Sequence, residues 1–254
     1  VVRWEDVPAE FTDQLNEAYE KIVEKASDFD DALAEKFLEG SDITVDEIKA
    51  ALRKGVLSLG VTPVFCGSAF KNKGVQLLLD AVIDYMPSPL DVPSVKGINP
   101  RTEQEEERGA DPNEPFAALA YKIQVDPFVG ALTFCRVYSG TLESGSYVYN
   151  VTRDSKERVS RLVKIHANKR EEIKSVSAGD IVGVVGLKDV TTGDSICEIG
   201  KPLLLETIVS PDPVVSVSIE PKGKGDYEKM GEALRKIMRE DPSFHFSFDE
   251  ETSE

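Results

Sequence analysis

Catalysis needs nucleophiles, acids and bases at workable spacings, and this chain offers few. His166 and His245 are its only histidines, and neither has a serine or cysteine partner near it in sequence. A nucleophile is activated by a base within hydrogen-bond reach, so both histidines read as structural or surface residues. Cys66, Cys135 and Cys197 are odd in number, far apart and without a CxxC pair, which argues against a disulfide framework and a zinc site. All three stand among apolar residues, where cysteine serves as a small core hydrophobe, and a reducing compartment fits them. No HExxH, GxSxG or EF-hand loop occurs, and the phosphate-cradling GxxxxGKS/T loop is missing. Lys222-Gly223-Lys224-Gly225 is a basic turn behind Pro221, and Gly200-Lys201 runs into Pro202. The residues reveal no catalytic centre.

Two stretches point to binding instead. Gly67, Ser68 and Ala69, followed by Phe70, stand after a short apolar run. At the carboxyl end of a strand in an open α/β sheet, such small residues let backbone N–H groups approach a planar ring. They are equally the residue types of a plain tight turn. The second stretch is basic: residues 150–175 hold eight basic and four acidic side chains. Within it Arg158, Arg161, Lys164, His166, Lys169 and Arg170 suit phosphate contacts, or the charged guarding of a sheet edge. Residues 1–50 reverse the balance, with five basic and fifteen acidic side chains. The formal charge of −16 argues against indiscriminate coating of nucleic acid. The asymmetry predicts two surfaces with two kinds of partner.

The elements that must position these residues follow from periodicity. Runs at 116–125, 131–138, 146–149, 159–165, 181–185 and around Ile196 are short, rich in β-branched or aromatic residues, and bounded by turn residues. They predict an antiparallel β-barrel or sandwich of about six strands over 115–198. Before it, apolar spacing predicts amphipathic helices over 9–26, from Asp30 to Gly40, and from Thr44 to about Lys54. Thr44 and Glu47 are placed to form a capping box. Residues 61–66 predict a buried strand and 74–85 a helix, an α/β crossover that stops before Pro87. Residues 87–114, rich in proline and acid, read as a linker. Beyond the barrel, 214–220 and 244–248 alternate like strands around a helix over 226–239, a β-α-β half of a ferredoxin-like domain. The fold class is multidomain α+β. No run approaches the roughly 18 apolar residues of a membrane span. Val1-Val2 and the acidic end 248–254 read as cut edges, so the chain is expected to be a piece of a longer protein.

These segments, taken together, resemble bacterial translation elongation factor G over essentially the whole chain. The resemblance rests on Ile-Lys-Ala-Ala-Leu-Arg-Lys-Gly at 48–55, on Thr62-Pro63-Val64-Phe65-Cys66-Gly67-Ser68-Ala69-Phe70 through Gln76, and on 84–93. In the barrel it rests on Asp126 to Gly130, Arg136 to Gly140, His166-Ala167-Asn168, Ala178 to Ile181, Gly186 to Asp189 and Thr192-Gly193-Asp194. It implies that 1–55 is the later part of the helical insert of a GTPase domain and 56–86 that domain's last strand and helix. A linker at 87–114 then leads to a complete second domain of translation-factor type at 115–198, and 199–254 is a connection with the first half of the third domain. The phosphate loop, switch regions and base-reading motif would lie upstream. The parent would use GTP or GDP with Mg, coupling GTP hydrolysis to movement of transfer and messenger RNA on the ribosome. This part is expected to bind no nucleotide and to be inactive alone. The resemblance gives Gly67, Ser68, Ala69 and Phe70 a contact with the guanine base. It gives the barrel, with Arg158, Arg161, Lys164, His166, Lys169 and Arg170, a contact with small-subunit ribosomal RNA. The helical insert would meet the acidic stalk protein through an apolar or locally basic contact. A cytoplasmic protein, with no membrane or DNA partner, is implied. A paralogous ribosomal protection or peptide-release factor would carry a similar barrel.

Overall fold

The structure, a computed structural model, describes residues 5–126, 130–167 and 169–247. Residues 127–129, Asn168, Val1-Val2 and 248–254, named above, lie outside that range. The chain divides into two compact units, Val1–Val92 and Pro93–Glu254.

The first unit is helical. A 3-10 turn, Ala9–Phe11, leads into α1 (Thr12–Ser27), followed by α2 (Asp31–Glu39), α3 (Val45–Leu57) and α4 (Val75–Tyr85). Asp30 caps α2 by accepting from the N–H groups of Ala32 and Leu33, and Gly40 closes it in the left-handed region at φ 67°. That φ suits a residue without Cβ. The Thr44–Glu47 capping box opens α3. Val23, Ala26, Leu33, Ile48 and Ala51 form the core of α1 to α3, with Ile43 and Leu52 against it. The helix α3 runs past the predicted end near Lys54. Gly55 is a point of close approach rather than a stop, since a Cβ there would stand 2.7 Å from the Phe29 ring.

Lys36 reaches across to Glu47, tying α2 to α3. The bond from Lys36, with those from the Thr44 N–H and hydroxyl, holds the Glu47 carboxyl at about 2 against an ordinary 4.5. A depressed carboxylate contributes stability above its unfolded value and loses it as pH falls through its folded value. Helical circular dichroism in an acid titration should therefore fall between pH 4.5 and about 2, and Glu47→Gln should flatten the curve in that window.

The helix α4 is anchored at its carboxyl end. Arg53 of α3 donates to the carbonyl oxygens of Ile83, Asp84 and Met86, and pairs with Asp91 at 2.7 Å. Carbonyls in a last helical turn lack helical donors, and a guanidinium supplies several at once. The strand predicted over 61–66 does not form, and Cys66 is exposed rather than buried. A strand exists through its ladder, and the described residues give this segment no partner strand.

The second unit opens with a hairpin where composition predicted a linker. Strand β1 (Val95–Ile98) pairs antiparallel with β2 (Glu105–Arg108). Lys96 bridges to Glu105 and Glu107 across the ladder, and Val95 packs with Leu203 and Leu205. The acid-rich composition concealed a hairpin held by its ladder, by the Lys96 bridges and by Val95 alone on the apolar cluster.

Ten strands follow: β3 (Ala117–Asp126), β4 (Gly130–Ser139), β5 (Thr141–Glu143), β6 (Tyr147–Asn150), β7 (Ser155–Arg158), β8 (Arg161–His166), β9 (Lys169–Ile173), β10 (Ser175–Ser177), β11 (Ile181–Val185) and β12 (Ser195–Cys197). Eight form one antiparallel sheet in the order β7-β6-β12-β3-β4-β11-β8-β9, and β10 pairs with β5. The sheet wraps a single core, to which Ala118, Cys135, Val137, Val148, Leu162, Val176, Val182, Val184 and Ile196 contribute. Gly140 sits at φ 71° where a Cβ would stand 2.6 Å from the Phe116 backbone. Only glycine serves there, for conformation and for space.

The helix α5 (Tyr227–Glu240) lies against the barrel. Arg239 donates to the carbonyls of Leu187 and Lys188, and Glu240 accepts from the Val125 N–H. The same loop is held from the barrel side, where buried Glu157 accepts from the N–H groups of Lys188 and Asp189. The architecture is the predicted multidomain α+β one: a helical region, an antiparallel barrel and a small unit beyond it. In that last unit 214–220 and 244–247 form no ladder among the described residues, leaving the helix as its regular element.

Candidate functional site

The turn at Gly67 is a compact loop closed by its own backbone. Ser68 and Lys73 exchange both hydrogen bonds at 3.0 Å, and Ser68 and Ala69 also accept from the N–H groups of Lys71 and Asn72. A Cβ on Gly67 would meet the Lys73 carbonyl at 2.9 Å, so glycine lets the two limbs touch. Gly74, at φ 75°, turns the chain into α4. Among the described residues the N–H groups of Ala69 and Phe70 find no acceptor, and the Phe70 ring is fully exposed. Beside the loop a shallow cavity of about 190 Å³ is lined by Phe65, Cys66, Ser68, Ala69, Lys73 and Leu78. Free donors next to an apolar wall fit the edge and face of a planar base. A triphosphate needs a nest of N–H groups or a helix amino terminus, and the sequence holds no such loop.

The six candidate cations are all exposed, yet ladder register divides them. In the β8–β9 hairpin Lys164 stands opposite Glu171 and His166 opposite Lys169, while Ile165 stands opposite Arg170 and Val163 opposite Glu172. Side chains alternate between the faces of a strand. Lys164, His166 and Lys169 therefore share one face with Glu171, which lies 4.0 Å from His166. Arg161 and Arg170 share the other face with Val163 and Ile165. Arg158 lies on β7, at the opposite end of the ladder order, across from Tyr147. A basic run in the sequence thus becomes three separate positions.

Two cations that the sequence reading passed over join Arg161. Register places Arg136 beside Ile181, and Lys122 beside Phe134, on the face of β3, β4 and β11 that points away from the core. They lie in strands without local basic density, so only the pairing reveals them.

The thiols of Cys135 and Cys197 are buried and pushed up to about 12 and about 11 by desolvation. That makes them core residues rather than nucleophiles. Among the described residues no cluster of three or more histidines, cysteines or carboxylates is placed to hold a metal, and no helix is long and apolar enough to cross a membrane.

The antiparallel barrel is followed in the chain by a helix braced against it. Residues 115–199 match the family model described as elongation factor G domain 2, and residues 210–254 the one described as elongation factor G domain III. The two lie in consecutive order over just over half of the chain, which belongs to the elongation factor G family. It is also similar to a crystal structure of a protein from Thermus thermophilus, at 28% identity and a TM-score of 0.76. That similarity covers 99% of this chain and 35% of the other, so this chain spans about a third of that protein's length.

Proposed function

We propose that the chain is a ribosome-contacting module of a translocation GTPase. The observation that carries this is the succession of elongation factor G domain 2 and domain III matches on a barrel and its braced helix. In this reading 1–55 belong to the helical insert, 56–86 to the end of the GTPase domain, 87–114 to a connecting segment, 115–198 to the second domain, and 199–254 to the passage into the third. The barrel meets small-subunit ribosomal RNA, the helical unit meets the stalk protein, and transfer and messenger RNA are moved indirectly in the cytoplasm. The parent binds GTP or GDP with Mg. Here the Ala69 and Phe70 N–H groups would contact the guanine base, and the phosphates would be held by residues outside this chain.

Titration calorimetry with GTP and with GDP, each with Mg, should show no micromolar binding. Phosphate contacts supply most of a nucleotide's affinity, and base contacts alone leave too little. Micromolar affinity for either nucleotide would overturn this division of labour. Co-sedimentation with purified small subunits tests the wider reading: the chain should pellet with them, and pelleting should weaken as salt rises.

A further inference from the structure

We propose that two copies of this chain associate by exchanging strands, residues 214–219 of each entering a slot in the second unit of the other. The slot lies between β1 and the segment that follows β12. Ile98 and Leu204 exchange both backbone hydrogen bonds, at 2.9 and 2.8 Å, as an antiparallel bridge. Carried on in register, that pairing would set Lys96 against Glu206, yet no backbone bond joins them. Successive residues of a strand turn their N–H and C=O groups to opposite sides. Ile98 turns to Leu204 and Gly97 to β2, so Lys96 turns into the gap. From the other wall Leu204 turns to Ile98 and the Leu205 N–H to Ser195 Oγ, so Glu206 turns into it as well. The walls splay around a cavity of about 420 Å³. Its floor is apolar, made by Val95, Leu119, Tyr138 and Leu205.

A gap between two walls with unpaired backbone groups suits a third strand, bonded to both. With about 4.8 Å between strands, about 10 Å between layers and about 3.3 Å per residue, an extended chain fills about 160 Å³ per residue, so the slot takes about three. The walls are antiparallel, and the guest runs antiparallel to one and parallel to the other. Its side chains must alternate, apolar toward the floor and polar toward water.

Residues 214–219 supply that pattern. Val215, Val217 and Ile219 alternate with Ser216 and Ser218, the segment forms no ladder, and Val215 and Val217 are 75% and 83% exposed. Charge favours it too. Lys96 at the rim is already paired with Glu105 and Glu107, and with Glu206 opposite the mouth is acidic on balance and repels acidic guests. In a chain 30% charged, 213–219 carries no charge. The other segments without a ladder suit the slot less: 61–66 contains Pro63, which has no N–H, and 244–247 is followed by Asp249, Glu250 and Glu251. The strand comes from a second copy because of its hinge. Ser210 and Asp212 each precede a proline, which disfavours the α geometry of a tight turn. Residues 210–213 therefore extend and carry the strand away from its own slot. Since each chain holds one slot and one strand, a two-fold pair fills both and stops at two.

The test is analytical ultracentrifugation of the chain at rising concentration. The mean mass should climb toward that of two chains and level there. Val217→Pro removes a donor from the strand and Glu206→Pro one from the wall, and each should weaken association by about tenfold or more. Both positions are exposed and outside every ladder, so both variants should melt with the parent. Ser216→Thr, on the strand's polar side, should associate as the parent does. Mixed in equal amounts, the two proline variants should associate more than either does alone, because the first keeps a slot and the second a strand. A parent that stays monomeric overturns the proposal, and so does a Val217→Pro variant that pairs as the parent does. A mixture no more associated than its components, or growth beyond two chains, overturns it as well.

Discussion

Replacing Asp194 with alanine should cost the barrel about 3–5 kcal/mol, the larger part through donors left without an acceptor. The side chain is 3% exposed. One carboxylate oxygen accepts from Asn150 Nδ2 at 2.8 Å, Arg153 Nε at 3.1 Å and the Thr191 N–H at 2.9 Å, and the other takes the Thr191 hydroxyl at 3.0 Å. Asn150 is itself fully buried, so its amide cannot turn to water. Around this carboxylate β12 is locked into place: the Asp194 carbonyl accepts from the Ala120 N–H, and the Gly193 N–H donates to the Ala120 carbonyl. Those two bonds sit where the β3–β4 register shifts, between Ala120 and Lys122. Losing the carboxylate thus loosens the point where β12 meets an irregular strand. Asp194→Asn separates charge from hydrogen bonding. Its oxygen can keep the three N–H donors while its amide donates to the Thr191 hydroxyl, so the loss should be about 1–2 kcal/mol. Urea denaturation of the two variants checks this. Equal losses would mean that the charge, rather than the satisfied donors, holds the network.

How much of this was legible in the sequence depended on whether a signal was local. The Thr44–Glu47 capping box and the bounds of α2 at Asp30 and Gly40 are local chemistry, and the residues announced them. So were the long alternating strands β3 and β4. The charged strands were not: β7 is Ser-Lys-Glu-Arg and β9 is Lys-Arg-Glu-Glu-Ile, with polar residues on both faces and no period to read. They are strands because neighbours bond to them, a tertiary effect that propensity does not encode. Gly55 misled in the opposite sense, since a residue type that often ends helices is held inside one by the Phe29 ring. At the binding surfaces the residue types were readable and their grouping was not. Sequence proximity joined Arg161 to Lys164, and the pleat sets them on opposite faces. It separated Arg136 from Arg161, which the β4–β11–β8 ladders bring to one face.

The same alternation sets the second large effect. Leu162 and Val163 are adjacent on β8, yet Leu162 belongs to the barrel core and Val163 to the outer cluster. Leu162→Ala should cost about 2–5 kcal/mol, because the cavity is walled by side chains from several strands that cannot all collapse into it. Ile181→Ala removes a similar volume from the next strand's outer face, where the side chain is already half in water, and should cost below about 1 kcal/mol. Native-state hydrogen exchange gives the comparison. The Val182 and Val184 amides, in the strand between β4 and β8, should be among the slowest in the chain. Leu162→Ala should speed them by about two to three orders of magnitude, given 1.4 kcal/mol per factor of ten. Ile181→Ala should leave them nearly unchanged. Adjacent residues would then differ in what they hold together, with register as the only thing separating them. An Ile181→Ala that destabilised as much as Leu162→Ala would show that Ile181 is packed into the buried outer cluster of Leu132, Val163 and Val185.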